Sequence, residues 1–151
     1  MAPKNALEEL GPKGACDRRV FALELDRPVL PDFSLPSAHF TCLLVADFGQ
    51  DLVGLVRSLM ERGAAYITAW GPRCAEVADT VYAPNCPVPR HVMASWHEHE
   101  PLAEAVWFFL NNTCPDDAVF DTCGSALAVV VGHPSWAAEV RSELLGGGDG
   151  R

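Results

Sequence analysis

The chain has 151 residues, of which 49% are hydrophobic, and it carries a formal net charge of −9 at pH 7. This length and composition are typical of one globular domain that buries its own core. Residues 91–151 hold nine Asp or Glu residues but only Arg141 and Arg151 as basic residues, a difference of −7. Such a surface repels phosphate backbones and anionic lipids, which excludes nucleic acid and membrane partners and favours a basic protein partner.

The location follows from what the sequence lacks. No run approaches the roughly 20 apolar residues that span a bilayer, and the first residues, MAPKNALEELGPKG, have no apolar core of signal-peptide type. The six cysteines lie far apart without a CxxC motif, which favours reduced thiols over a disulfide framework. The sequence therefore predicts a soluble, cytoplasmic protein.

The chain begins and ends with segments that predict little structure. Residues 1–19 mix Pro, Gly, Lys and Glu without periodicity, and residues 146–151 are rich in glycine. We expect flexible ends around a single domain at 20–145. Within it, 20–25 alternates like a strand, and 26–38 contains three prolines that predict an extended surface segment.

The next elements alternate between strand and helix. A strand is predicted over 39–47, and the helix after it has an apolar stripe ended by Gly63, a favoured C-terminal cap. A strand at 65–70, a short helix from Pro72 to about Ala78 and a short edge strand at 79–83 follow. The stripe of the first helix places five residues in the core: Leu52, Leu55, Val56, Leu59 and Met60.

The second half of the chain repeats this alternation. The proline-rich connector 84–90 leads to a strand at 91–96, and Pro101 opens a helix that Trp107 and Phe108 make apolar on nearly all sides. An apolar surface of this kind is hard to bury in a small domain, so the helix at 102–110 is a predicted homodimer contact. The continuous apolar run at 126–131 predicts a central strand, and a last helix is expected from Pro134 to Leu145.

These elements predict one three-layer α/β domain with a mostly parallel sheet of about four or five strands, of Rossmann-like or flavodoxin-like type. We expect the strands 39–47 and 91–96 to be adjacent. The carboxyl ends of parallel strands share one edge of a sheet, where ligands bind in such folds. Five residues that follow apolar runs are therefore the candidate ligand-binding residues: Asp47, Trp70, Trp96, His97 and His133.

Phosphate-binding and nucleophile motifs are absent from these turns. The sequence contains no GxxxxGK[ST], GxGxxG or GxSxG, so an ATP, GTP or NAD site is disfavoured and no cofactor is predicted. Asp47 is suited to holding Mg²⁺, acting as a nucleophile or bonding a substrate hydroxyl. The structural alternative is that Asp47 and Asp51 cap the following helix.

The histidines and cysteines each allow a structural reading as well as a functional one. His97 and His99 have a spacing compatible with zinc if the strand continues that far, but no second ligand pair accompanies them, so no metal is predicted. The alternative for both histidines is a turn. His133 is either a turn residue or part of an anion site at a helix start. Cys74, in the first turn of a short helix, is the better candidate for a reactive thiol.

Two classes of function remain open from the sequence. Its acidic second half and missing catalytic motifs favour a non-enzymatic binding domain, namely a regulator, adaptor or neutralising partner of a basic protein. The alternative is a small hydrolase, metal-assisted transferase or ligand sensor. In that reading Asp47 supplies a carboxylate, His97 or His133 titrates near neutral pH, and the tryptophans form the walls.

Overall fold

A computed structural model of the protein describes residues 4–146. Within that range the chain forms six strands and five helices. The strands are β1 (Glu8–Lys13), β2 (Arg18–Leu25), β3 (His39–Val45), β4 (Ala64–Trp70), β5 (Met93–Trp96) and β6 (Cys123–Val131). The helices are α1 (Val53–Arg62), α2 (Glu76–Val81), α3 (Leu102–Asn111), α4 (Asp117–Phe120) and α5 (Pro134–Gly146).

The strands form one mixed sheet in the order β1-β2-β6-β3-β4-β5. The β1–β2 pair is antiparallel, and the other neighbours are parallel. The architecture is the predicted three-layer α/β arrangement, but the sheet has six strands instead of four or five. The predicted adjacency of the strands at 39–47 and 91–96 is wrong, because β3 lies between β6 and β4 while β5 is at the edge.

The strand order follows from two kinds of connection. From β3 the chain passes through α1 to β4, and from there through α2 to β5. Both helices lie on the same face of the sheet. From β5 the chain passes through α3, which packs on the opposite face of the sheet, and then reaches β6. β6 lies on the other side of β3 from β4. The direction of winding therefore reverses between β3 and β6, not between β3 and β5 as the sequence led us to expect.

The face that carries α1 and α2 is filled with large side chains. The predicted stripe of α1 is buried, with Leu55 at 2% exposure and Leu59 at 0%, and the helix ends at Gly63 as expected. Phe33 in the extended segment 26–38 packs against the same core, so that segment covers the part of the sheet that the two helices leave open. The predicted core positions Val56, Val129 and Val130 are confirmed as well; each is at most 3% exposed.

The opposite face carries α3 and α5. The inward stripe of α3 is buried as predicted, and Phe109 is fully buried in a cluster with Val140 of α5 and Val130 of β6. Trp107 and Phe108 are half-buried, and Phe108 contacts Tyr66 with 6.4 Å between ring centroids. Much of the surface predicted to be exposed on this helix is therefore covered by the sheet.

Three local elements differ from the sequence expectations. Residues 8–13, within the segment expected to be flexible, form β1 because the chain turns back and pairs with β2. Residues 79–81, expected in an edge strand, belong to α2, and its Val77 and Val81 are buried against the core. The short helix α4 was not expected; Asp116 caps it by accepting a hydrogen bond from the Ala118 N–H at 2.9 Å. Of the tail predicted at 146–151, only Gly146 is among the described residues.

Two contacts position strands on the side of the sheet away from β1: one at the ends of β3 and β4, the other at β5. Gly71 has a φ of +134°, and a Cβ atom there would overlap the carbonyl oxygen of Ala46, so the β3 and β4 ends approach closely only because residue 71 is glycine. At the outer edge of the sheet, the Tyr82 hydroxyl accepts a hydrogen bond from the Ala94 N–H of β5 at 2.8 Å. Among the described helices, none combines the length and apolar character that crossing a membrane requires.

Candidate functional site

Aromatic side chains fill much of the carboxyl edge of the sheet. Trp70, the last residue of β4, meets Trp136 of α5 edge to face, with 5.1 Å between the ring centroids. His133 stacks on the same Trp136 ring at 3.7 Å. Two of the predicted site residues, Trp70 and His133, are thus brought together by a third aromatic residue that was not among the candidates.

A second set of contacts links His97 to Trp70. A hydrogen bond of 2.8 Å joins His97 Nδ1 to Glu100 Oε2, and Trp70 Nε1 donates to the backbone oxygen of Glu100, also at 2.8 Å. His97 is 8% exposed, and its ring lies 4.6 Å from that of Phe108. The polar atoms of both aromatic residues are therefore used in fastening the turn after β5, which leaves little of either for a ligand.

Asp47 closes the turn after β3. Its Oδ1 atom accepts a hydrogen bond from the Gly49 N–H at 2.9 Å, while Asp51 Oδ1 accepts one from Val53, the first residue of α1, at 3.1 Å. Asp47 therefore closes a turn and does not cap α1, whereas Asp51 accepts from the first N–H of the helix although the N-cap position itself is Leu52. Trp96, on the edge strand β5, is 47% exposed. The described contacts of the aromatic cluster therefore unite three of the five candidates but not Asp47 or Trp96.

Metal and thiol chemistry find little support at this edge. β5 ends at Trp96, so His97 and His99 do not follow one another along a strand, and the described residues contain no group of three His, Cys, Asp or Glu side chains placed to hold a metal. The expectation for Cys74 is wrong, because burial raises the pKa of its thiol instead of leaving it lowered by the helix. Burial also raises the pKa of Cys42 and Cys123.

A large opening lies elsewhere, between α5 and the β1–β2 side of the sheet. It is a groove of about 790 Å³, within the range of volumes that ligand sites occupy. The floor is formed by strand residues on the α5 face of the sheet: Ala22, Glu24, Ala128 and Val130. The wall is formed by one side of α5: Pro134, Ala137, Ala138, Arg141 and Leu145.

Small side chains create this opening. Ala22 of the sheet and Ala137 and Ala138 of the helix all line it, and none of the three is fully buried, so the opening is bordered by small side chains. Binding sites in proteins are typically concave and mostly apolar with a few polar groups, and this groove has that character. The sequence carried a signal for it, namely the alanines on facing elements, but recognising the signal requires knowing that β2, β6 and α5 are neighbours.

Some charged residues of the groove form ion pairs with described residues, and one does not. Arg141 donates two hydrogen bonds to the Glu8 carboxylate, at 3.1 and 2.7 Å, and this arginine holds the pKa of Glu8 below its usual value. Lys4 forms an ion pair with Asp26 at 3.2 Å. Glu24 is half-buried, and no described residue forms a side-chain hydrogen bond or ion pair with its carboxylate.

A smaller cavity of about 230 Å³ lies between the start of α1 and α2 and includes Asp51, Glu76 and Asp79 in its lining. Neither this cavity nor the groove is lined by any of the five predicted residues. The candidate site that the structure presents is therefore the α5 groove, and the edge of the sheet is an aromatic cluster beside it.

Taken together, these features define a three-layer α/β domain with the α5 groove open on one face. Residues 20–145, from β2 into α5, match the family model described as Domain of unknown function (DUF7684), so the chain belongs to that family. No curated protein and no solved structure matches the chain.

Proposed function

We propose that this protein is a non-enzymatic binding domain, a regulator, adaptor or neutralising partner of a basic protein. The observation that carries this proposal is the groove between α5 and the sheet, because concave, mostly apolar openings of about this volume are where ligands and partners commonly bind. The net charge of −9 supports a basic partner, because an acidic protein attracts cationic surfaces and repels acidic ones.

The enzymatic alternative, a small hydrolase, metal-assisted transferase or ligand sensor at the edge of the sheet, has weaker support. The pairing of His97 with Glu100 is the observation in its favour, because a carboxylate of this kind orients an imidazole. Against it, Asp47 is occupied with Gly49, His133 is stacked on Trp136, and His97 is covered by Phe108. Catalysis needs a polar group that reaches a substrate, and these contacts restrict each candidate.

Two further parts of the proposal concern assembly and location. A homodimer through α3 is proposed because Trp107 and Phe108 stay half-buried in the isolated chain, where a partner surface would cover them further. We also propose a cytoplasmic location, which the six free cysteines support, because thiols stay reduced in that compartment.

The binding function is tested by selecting phage-displayed random peptides, long enough to span α5, on the immobilised protein. Replacing Ala138 with Trp fills the groove, and replacing exposed Ala118 with Trp makes the same change far from it. We expect enriched peptides that bind the wild-type protein and the Ala118→Trp control alike, and that bind Ala138→Trp about tenfold more weakly or worse. Peptides that bind both variants equally, or no enrichment at all, would refute the proposal.

A further inference from the structure

The face of the sheet that carries α3 and α5 has room for one more helix. A helix with its side chains is about 10 Å across and strands lie about 4.8 Å apart, so one helix covers about two strands. On this face α3 packs on β3 and β4, and α5 packs on β2 and β6. Within the described residues no helix covers β1 and the outer side of β2 on this face, and the groove opens there.

The shape of the groove matches a helical occupant. The lining positions on α5 run from Pro134 to Leu145, and most of them, including Pro134, Ala138, Arg141 and Leu145, recur at helical spacing, so the groove follows one side of the helix along nearly its whole length. Because the residues in the middle of that side are alanines, a neighbouring helix can pack close to α5. The distance between the two helix axes would be at the short end of the usual range of about 8–10 Å.

An extended peptide fits this place less well. A strand could reach the groove by pairing with the open edge of β1, but β1 is irregular between Glu9 and Gly11. Gly11 has a φ of +89°, and Pro12 after it has no N–H to donate. These features interrupt the row of backbone groups that an added strand would need.

Glu24 supplies the chemical selectivity. Its side chain follows Val20 and Ala22 on the same face of β2, so the carboxylate lines an otherwise alanine-rich floor. The other ionic groups of the groove, Glu8 with Arg141 and Lys4 with Asp26, are already paired. Among the described residues the Glu24 carboxylate has no side-chain partner, so a cation from an occupant could pair with it.

We propose that the groove holds an amphipathic helix of a basic partner protein, which lies beside α5 over β1 and β2 and places a lysine or arginine against Glu24. This inference rests on the proposed binding function and specifies the element of the partner that is recognised. The apolar stripe of that helix covers the alanines, and its basic residue stands at the border of the stripe.

The test uses two phage-displayed peptide libraries of equal length. In the first, leucines are fixed at helical spacing and the other positions vary among Ala, Ser, Gln, Lys and Glu; the second is identical except for a central proline that breaks a helix. Both are selected on the wild-type protein and on Glu24→Gln and Glu24→Lys. Glu61→Lys, an exposed change on α1, is the matched charge control, and circular dichroism verifies that each variant is folded.

We expect binders from the first library only, with Lys enriched at one position beside the leucine stripe. Those binders should lose about tenfold to a hundredfold in affinity on Glu24→Gln and keep it on Glu61→Lys. Selection on Glu24→Lys should enrich Glu at the same position. Proline-containing binders, or helical binders whose affinity is unchanged on Glu24→Gln, would overturn this inference.

The outcomes separate this inference from the binding function. If random peptides bind in a groove-dependent way but prove extended or indifferent to Glu24, the binding function stands and the helix inference fails. If no peptide of any library distinguishes Ala138→Trp from the wild type, both fail. If Ala138→Trp abolishes self-association in sedimentation, a second copy of the chain occupies the groove and the partner helix is excluded.

Discussion

On the face covered by α1 and α2, the sheet packs against Leu55, Leu59 and Met60, each at most 2% exposed. Beside α5, on the other face, several of the lining side chains are alanines, and a groove of about 790 Å³ lies along the helix. The same helix-on-sheet arrangement is therefore closed on one side and open on the other. The comparison teaches that the size of the side chains, and not the topology, decides where this fold leaves space for a partner.

The largest expected effect comes from opening the closed layer. Replacing Leu55 by Ala removes a buried side chain from close-packed surroundings and should lower the free energy of unfolding by about 2–5 kcal/mol. Leu145 is 48% exposed at the groove, and the same replacement there should change stability by less than about 0.5 kcal/mol. Urea unfolding of both variants measures the difference, and equal midpoints would remove the contrast between the faces.

The reverse substitution sharpens the comparison. Ala69 lies fully buried in the closed layer, so Ala69→Leu should overpack it and cost about 1–3 kcal/mol. Ala22 is a strand residue of the groove floor, and Ala22→Leu has space to occupy, so it should be neutral or stabilising by up to about 1 kcal/mol. Thermal or urea unfolding of the pair decides; a loss at Ala22 as large as that at Ala69 would show the groove to be filled.

Self-association through α3 concerns the face of the sheet that carries α3 and α5, and we expect a smaller effect from it than from the core substitutions. Half-buried Trp107 and Phe108 are expected to support a dimer at high micromolar concentration, and Trp107→Ala should shift the protein towards the monomer. Sedimentation velocity over a concentration series measures this. A monomer at every concentration would contradict it and leave the groove as the interaction surface of this face.

The smallest effect belongs to the ion pair at the groove. The pKa of Glu8 is lowered in the folded protein by Arg141, so the pair stabilises the fold above the pKa of Glu8 in the unfolded chain. This contribution is lost as the pH falls through the lowered folded-state value. Glu8→Gln should therefore be slightly less stable than the wild type at pH 7 and equally stable once Glu8 is protonated. A gap in the urea midpoint that persists in acid would argue against the pairing.

Local patterns in the sequence predicted the local elements well. The stripe from Leu52 to Met60 with Gly63 behind it identified α1, and the apolar run ending at Val131 identified the central strand β6. These succeed because helix and strand periodicity are set by residues a few positions apart. The prediction for residues 79–81 is wrong, since a segment of a few residues has too little periodicity to separate strand from helix before packing decides.

Long-range placement could not be predicted in the same way. The position of β6 between β2 and β3 depends on two connections, 26–38 and 97–122, whose sequences do not state how far across the sheet they reach. The edge cluster was therefore only partly foreseen: Trp70 and His133 do meet, but through Trp136, and Asp47 turns to Gly49. The groove was missed because it is formed by alanines on three elements distant in the chain.

The hydrogen bond between Tyr82 and Ala94 bears on how the protein behaves at high concentration. β5 is a short edge strand, and a free outward amide on such an edge is a starting point for cross-β aggregation between molecules. The phenol of Tyr82 occupies the Ala94 amide from within the same chain. The Tyr82 hydroxyl thus gives this amide a partner within the same chain, and Tyr82→Phe would leave the amide available for pairing with other copies of the protein.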